Sequence, residues 1–182
     1  MNGVAAHHVL FLCTGNAARS VIAGAALAAC LPDVVIETAG TLTVEGQPLS
    51  WRTRYALDSV GLSAPPHRTR QACRRDVEQA DLIVGLAPEH VEWVRRNYPS
   101  EAMRAGTLRR LCRDLSTVSG SLPDRVASLK LGEVQLGDWE EVVDPGGGDE
   151  ELFAACAREV CDLITTLAVD LRTLRESPPE IR

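Results

Sequence analysis

The chain has 182 residues, 45% of them hydrophobic, and a formal net charge of −6. That length and apolar content suit one domain with a full core and exclude a disordered chain. The acidic balance argues against a general nucleic-acid binder, whose affinity would rest on a basic surface, and the absence of any apolar run of membrane-spanning length argues against a membrane partner.

In chain order, Met1–Ala6 lacks the basic region of a signal peptide, and Val9–Leu12 is too short for its apolar core, so a cytoplasmic location is expected. Val9–Leu12 reads as a buried strand, and Val21–Ala29 as a buried helix, Ser20–Cys30 in full. Further strands are predicted at Val34–Thr38, Leu82–Leu86 and Thr107–Leu111, and further helices at Ser50–Val60, Arg70–Gln79 and Glu89–Asn97. The segment 112–138 is weakly patterned and extended, with one short helix expected near Asp124–Leu131. Asp144 precedes a flexible hinge, Pro145-Gly146-Gly147-Gly148. The last helix is the clearest: Leu152, Phe153, Cys156, Val160, Leu163, Ile164, Leu167, Leu171 and Leu174 recur every three or four residues. A polar tail, Ser177–Arg182, is expected to be flexible. Strands alternating with helices, three of them apolar enough to be buried on both faces, imply one α/β domain over 1–182, a three-layer sandwich around a four-stranded parallel sheet. Ligands in such sheets sit past the carboxyl ends of the strands.

The segment Cys13-Thr14-Gly15-Asn16-Ala17-Ala18-Arg19-Ser20 lies at such an end, between a strand and a helix N-terminus. Backbone N–H groups and the positive end of the helix dipole converge there and favour an anion. A helix N-terminus and a neighbouring Arg lower a thiol from about 8.5 to roughly 3.5–7.5, so Cys13 is expected to be a nucleophilic thiolate. The Arg19 guanidinium fits a phosphoryl group bidentately, as a lysine does not. Gly15 and Asn16 tolerate the positive φ that a loop curled around an anion requires. Ser20 suits both a donor to the thiolate and a helix N-cap. Asp144 is the candidate general acid, although Asp-Pro also opens ordinary turns, and Asp138 and Asp149 compete with it. The six cysteines, Cys13, Cys30, Cys73, Cys112, Cys156 and Cys161, contain no Cys-x-x-Cys pair, which disfavours zinc and dithiol redox chemistry. Neither a metal nor another cofactor is expected.

Cys13 to Ser20 matches Cys-x-Gly-Asn-x-x-Arg-Ser at every fixed position, and in this the chain resembles the low-molecular-weight protein tyrosine phosphatases. The resemblance continues through Thr38-Ala39-Gly40-Thr41, Gly46 and Pro48, His67-Arg68-Thr69-Arg70, Ala80-Asp81-Leu82-Ile83-Val84 and Asp144-Pro145, and so spans His8 to about Ala168. It implies sheet order 2-1-3-4, Cys13 as nucleophile, Arg19 as phosphate clamp and Asp144 as general acid. It further implies phosphate binding by Thr14 to Ser20, and support from Asn16, Ser20, Thr41 and His67. A phosphorylated protein or small phosphoester is the implied substrate, phosphate or arsenate an implied ligand, and a monomer or weak homodimer the implied state. The chain departs from the family at Ala18, where a second loop cysteine is common, and at Val21, where Pro is common. Val44 and Gly146 stand where aromatic pocket walls are usual, and Ala87 stands where an acidic residue is common. Trp51 and Trp139 are candidate substitute walls. Two alternatives remain at this level: an arsenate reductase served by an external thiol, since Gly85–Pro88 carries no resolving cysteine and Cys73 precedes the third strand, and a phosphate-binding module with weak catalysis.

Overall fold

The computed structural model describes residues 7–173; the expected flexible tail, Leu174 and the stretch Met1–Ala6 lie outside them. Four strands, β1 (His8–Cys13), β2 (Val35–Gly40), β3 (Leu82–Gly85) and β4 (Ala105–Thr107), form one parallel sheet in the order β2-β1-β3-β4. Side chains of a strand alternate between faces, and β1 divides accordingly between two cores. Val9, Phe11 and Cys13 join one, and Leu10 and Leu12 join the other.

The first core is covered by α1 (Arg19–Cys30), α2 (Trp51–Ser59), α5 (Leu108–Asp114) and the long α7 (Glu150–Thr173), and the second by α3 (Arg74–Gln79) and α4 (Pro88–Asn97). Small residues let α1 lie close to the sheet: a Cβ on Gly24 would come within 2.8 Å of Thr38 Cγ2. The three-layer architecture and the 2-1-3-4 order match the expectation from sequence.

Three elements differ from expectation by more than two residues or in type, each for a local reason. The expected strand Thr107–Leu111 is instead the end of β4 followed by α5. The Thr107 hydroxyl accepts the Arg110 N–H and so caps a helix, on which Leu108 and Leu111 face the core. The helix expected from Arg70 begins at Arg74, because residues 70–72 run extended beside Gly40, whose N–H donates to the Arg70 carbonyl and whose own carbonyl accepts the Ala72 N–H. The short helix expected near Asp124–Leu131 is α6 (Leu122–Ser128), started earlier by the Ser121 cap and Pro123 in its first turn.

The segment leading out of this region is pinned by a buried carboxylate. Glu140 is fully buried and accepts from Thr107 Oγ1 at 2.6 Å, from Arg110 Nη2 at 2.6 Å and from the Gly137 N–H at 2.9 Å. Burial opposes its ionisation, but the hydrogen bonds from Arg110, Thr107 and Gly137 prevail and hold its carboxyl below the usual range. Two residues on, the Val142 N–H donates to the Leu86 carbonyl at the end of β3. The chain therefore passes across the carboxyl ends of the strands just before Asp144.

Candidate active site

Cys13 is the last residue of β1 and Arg19 the first of α1. The loop between them is held from behind through Asn16, whose φ of 51° lies in the left-handed region. Asn16 Nδ2 donates to Thr38 Oγ1 at 3.0 Å and to Ser20 Oγ at 3.1 Å, and its Oδ1 accepts the Arg70 N–H at 3.1 Å. The Asn16 carbonyl accepts from His67 Nε2 at 2.7 Å, which fixes the proton on that ring nitrogen. Ser20 Oγ accepts from Asn16 and lies 3.1 Å from Cys13 Sγ, where its own proton can be given to a thiolate. Thr41 meets the loop through its backbone N–H, which donates to the Cys13 carbonyl, and Thr38, three residues earlier, meets it through the hydroxyl that accepts from Asn16. Gly40 is needed for the close approach, since a Cβ there would run into Thr43 Oγ1 and the Thr14 carbonyl.

Arg19 Nη2 lies 2.6 Å from Asp144 Oδ2, and Nη1 donates to the Val142 carbonyl at 3.1 Å. Asp144 also receives the Gly146 N–H on Oδ1, so this residue opens a turn and faces the site at once. Its competitors are elsewhere: Asp138 sits in a 3₁₀ turn, and Asp149 caps α7 through the Leu152 N–H. Cys13, Thr14, Gly15, Ala17, Ala18, Arg19 and Asp144 line a cavity of about 410 Å³, completed by Ser50, Arg52, Thr53, Gly146 and Phe153. Cys13 is only 3% exposed, and it borders this cavity. A larger cavity of about 570 Å³ opens beside Arg70 and Cys73, but there the Arg70 guanidinium spans Glu37 and Asp76, and Asp76 also holds the Cys73 N–H.

Burial above all pushes Cys112 and Cys156 up to about 12, so they are protonated at neutral pH. Four residues near the site are not read as site residues from sequence: Thr38, Arg52, His90 and Phe153. Phe153 carries the same period as the buried face of α7, and Arg52 reads as helix surface. His90 is fully buried, with Nε2 3.1 Å from Thr14 Oγ1, and Nδ1 is buried without a partner among the described residues. Burial and the Arg19 charge push its imidazole down to about 3, so it is neutral. An Nε2–H donating to Thr14 Oγ1 avoids leaving an unpaired N–H inside the protein. Neither candidate aromatic wall reaches the cavity: Trp51 is absent from its lining, and Trp139 lies against the guanidiniums of Arg110 and Arg113.

The chain is similar to known proteins over most of its length. It is 28% identical over 168 residues to a protein-arginine-phosphatase from Geobacillus stearothermophilus, a match covering 92% of this chain and 97% of the relative. It is 24% identical over 156 residues to the low molecular weight protein-tyrosine-phosphatase PtpB of Staphylococcus epidermidis, covering 86% and 93%. The solved YwlE arginine phosphatase from Geobacillus stearothermophilus superposes with a TM-score of 0.75 at 26% identity, over 94% of this chain and 98% of that one. Residues 8–130 match the family model described as low molecular weight phosphotyrosine protein phosphatase. With that match covering more than half of its residues, the chain belongs to the low molecular weight phosphotyrosine protein phosphatase family.

Proposed function

We propose that this protein is a cysteine-dependent protein phosphatase in which Cys13 takes the phosphoryl group from a phosphorylated side chain and passes it to water. The observation that carries the reading is the meeting, in one cavity, of the Cys13 thiol under the Ser20 hydroxyl with Arg19 and Asp144 paired at 2.6 Å. In the first step Cys13 Sγ forms a bond to phosphorus, the bond from phosphorus to the leaving atom breaks, and Asp144 gives that atom a proton. In the second, water attacks the phosphocysteine, Asp144 takes a proton from the water, and the thiolate leaves. The amides from Thr14 to Ser20 and the Arg19 fork carry the charge of the transferring group, and because Asn16 holds the loop they need little reorganisation.

Hydrolysis of an aryl phosphate without added metal tests this reading. The native protein is expected to turn over and Cys13→Ser to lose activity by more than about 10⁴-fold; turnover surviving in Cys13→Ser would remove the mechanism. A phosphotyrosine protein is the first substrate reading. The second is phosphoarginine, favoured by the rim: Gly146 borders the cavity where a ring is usual, and one relative is named for arginine phosphatase activity. Parallel assays with phosphotyrosine and phosphoarginine peptides separate the two. Arsenate reduction is not favoured, since the matching family and relatives are phosphatases.

A further inference from the structure

The site contains a second guanidinium that the two-step reaction does not use. Arg52 lines the same cavity as Cys13, Arg19 and Asp144. It stands in the first turn of α2, where the helix has no acidic residue and carries partial positive charge from its own backbone. A cation there is unfavourable, so helix stability does not account for it. Its Nε is buried without a hydrogen-bond partner, and among the described residues its guanidinium forms no ion pair. The contact it does make is with the face of Trp51, 5.0 Å from the ring centroid. Arg19, by contrast, is held by Asp144 and the Val142 carbonyl.

The start of α2 is fixed against the phosphate loop. Ser50 caps the helix by accepting the Thr53 N–H, and Thr53 Oγ1 donates to the Ala17 carbonyl at 2.9 Å. Arg52 is therefore carried on a rigid wall of the cavity, while the loop amides and Arg19 already account for the phosphoryl group. We propose that Arg52 is a specificity determinant which binds a second anion, the carboxylate of an Asp or Glu close to the phosphorylated residue in a polypeptide substrate. A polypeptide is favoured over a small phosphoester by the surroundings. Leu42, Val44 and Trp51 are exposed apolar side chains on the loop beside Thr14 and at the start of α2, a surface that a flanking peptide covers and a small molecule leaves bare. The proposal rests on the phosphatase reading above and adds the sequence context of its substrate.

The test compares kcat/KM for peptides bearing whichever phosphorylated residue, tyrosine or arginine, the enzyme hydrolyses, with Glu, Ala or Lys on either side. The native enzyme is expected to favour Glu over Ala by roughly tenfold, mostly through KM, with the preference shrinking as salt is raised. In Arg52→Gln the Glu-to-Ala ratio is expected to fall to about one, and Arg52→Lys is expected to keep part of it. Taking the ratio within each variant divides out any general change in activity. A native ratio near one, or a ratio that survives in Arg52→Gln, overturns the role of Arg52 and leaves the phosphatase reading standing. If no phosphorylated peptide is hydrolysed at all, the phosphatase reading itself fails. Should Arg52→Gln not fold, loss of the preference in salt and its partial retention in Arg52→Lys decide the matter on folded protein.

Discussion

The loop Cys13–Ser20 and the segment from Val142 to Gly148 face each other across one cavity, and they are built in opposite ways. The loop is tied down from behind along its length. The Cys13 carbonyl accepts the Thr41 N–H, the Thr14 carbonyl accepts the Leu42 N–H and Thr43 Oγ1, the Ala17 carbonyl accepts Thr53 Oγ1, and Asn16 bonds through backbone and side chain together. The opposing segment is anchored at Val142, by the Leu86 carbonyl and by Arg19. Past that point it has the Asp144–Arg19 pair, two short-range turn bonds and three successive glycines. In the proposed reaction, the half assigned to binding charge is thus fixed in advance, and the half assigned to moving a proton is more lightly tied. A preorganised cradle stabilises developing charge without reorganising, whereas an acid that serves both a leaving group and a water needs freedom to shift.

Arg19 joins the two halves, so breaking it carries the largest expected effect. Arg19→Lys keeps a positive charge but loses the planar fork that reaches a phosphoryl group, Asp144 and the Val142 carbonyl. A drop in kcat/KM of about 10³-fold is expected in steady-state assays. Retention of near-native activity in the lysine variant would mean that a point charge suffices. Asp144→Asn acts on the adaptable half alone. It is expected to lower kcat by about 10²-fold on a substrate with a poor leaving group, and by much less on a nitrophenyl phosphate, whose leaving oxygen needs little protonation. An equal loss on both substrates would assign Asp144 to binding instead of proton transfer.

The same contrast governs what the sequence reveals. Strands β1 to β3 and helix α7 are legible because burial leaves an apolar period, and the loop is legible because its chemistry sits in consecutive residues. Asp144 is half legible, since an Asp-Pro pair suits a turn and an acid alike, and the structure has it facing the cavity while holding its turn bond. Thr107 misleads because the same threonine ends β4 and caps α5. Thr38 and Thr41 are equivalent as residue types on either side of Gly40, and it takes the register of β2 against β1 to decide which hydroxyl faces Asn16. Arg52 and Phe153 are invisible in sequence for a deeper reason. They lie about 100 residues apart on α2 and α7, and become neighbours of Cys13 through tertiary packing alone.

A smaller effect is expected on the adaptable side from Gly147→Ala. Gly147 has a φ of 81°, which a Cβ disfavours by roughly 1 kcal/mol. The substitution is expected to lower kcat a few-fold while leaving the affinity for inorganic phosphate, a property of the fixed loop, within about twofold. Phosphate affinity falling along with kcat would show that the two halves are not separable.

The smallest effect at neutral pH is expected from His90→Gln, and it is acid that makes this variant informative. His90 backs the rigid half through Thr14 Oγ1 and is neutral in the folded protein, pushed down to about 3 by burial and by Arg19. In the unfolded chain a histidine titrates near 6.5, so between about 6.5 and about 3 the unfolded state holds one more proton than the folded state. Stability contributed by keeping this ring neutral is therefore complete above 6.5 and is lost as pH falls, by up to about 1.4 kcal/mol per pH unit. Glu140 and Asp76 act lower. Burial opposes their ionisation, but hydrogen bonds from Arg110 and from Arg70 hold their carboxyls below the usual range, so their contributions disappear below about 4.5. Urea midpoints between pH 7 and pH 5 isolate the histidine. The native protein is expected to lose stability across that window and His90→Gln to lose less, with the two curves steepening together below it. Parallel curves down to pH 5 would show that the ring accepts a proton where it stands, and that the loop is less firmly backed than its hydrogen bonds indicate.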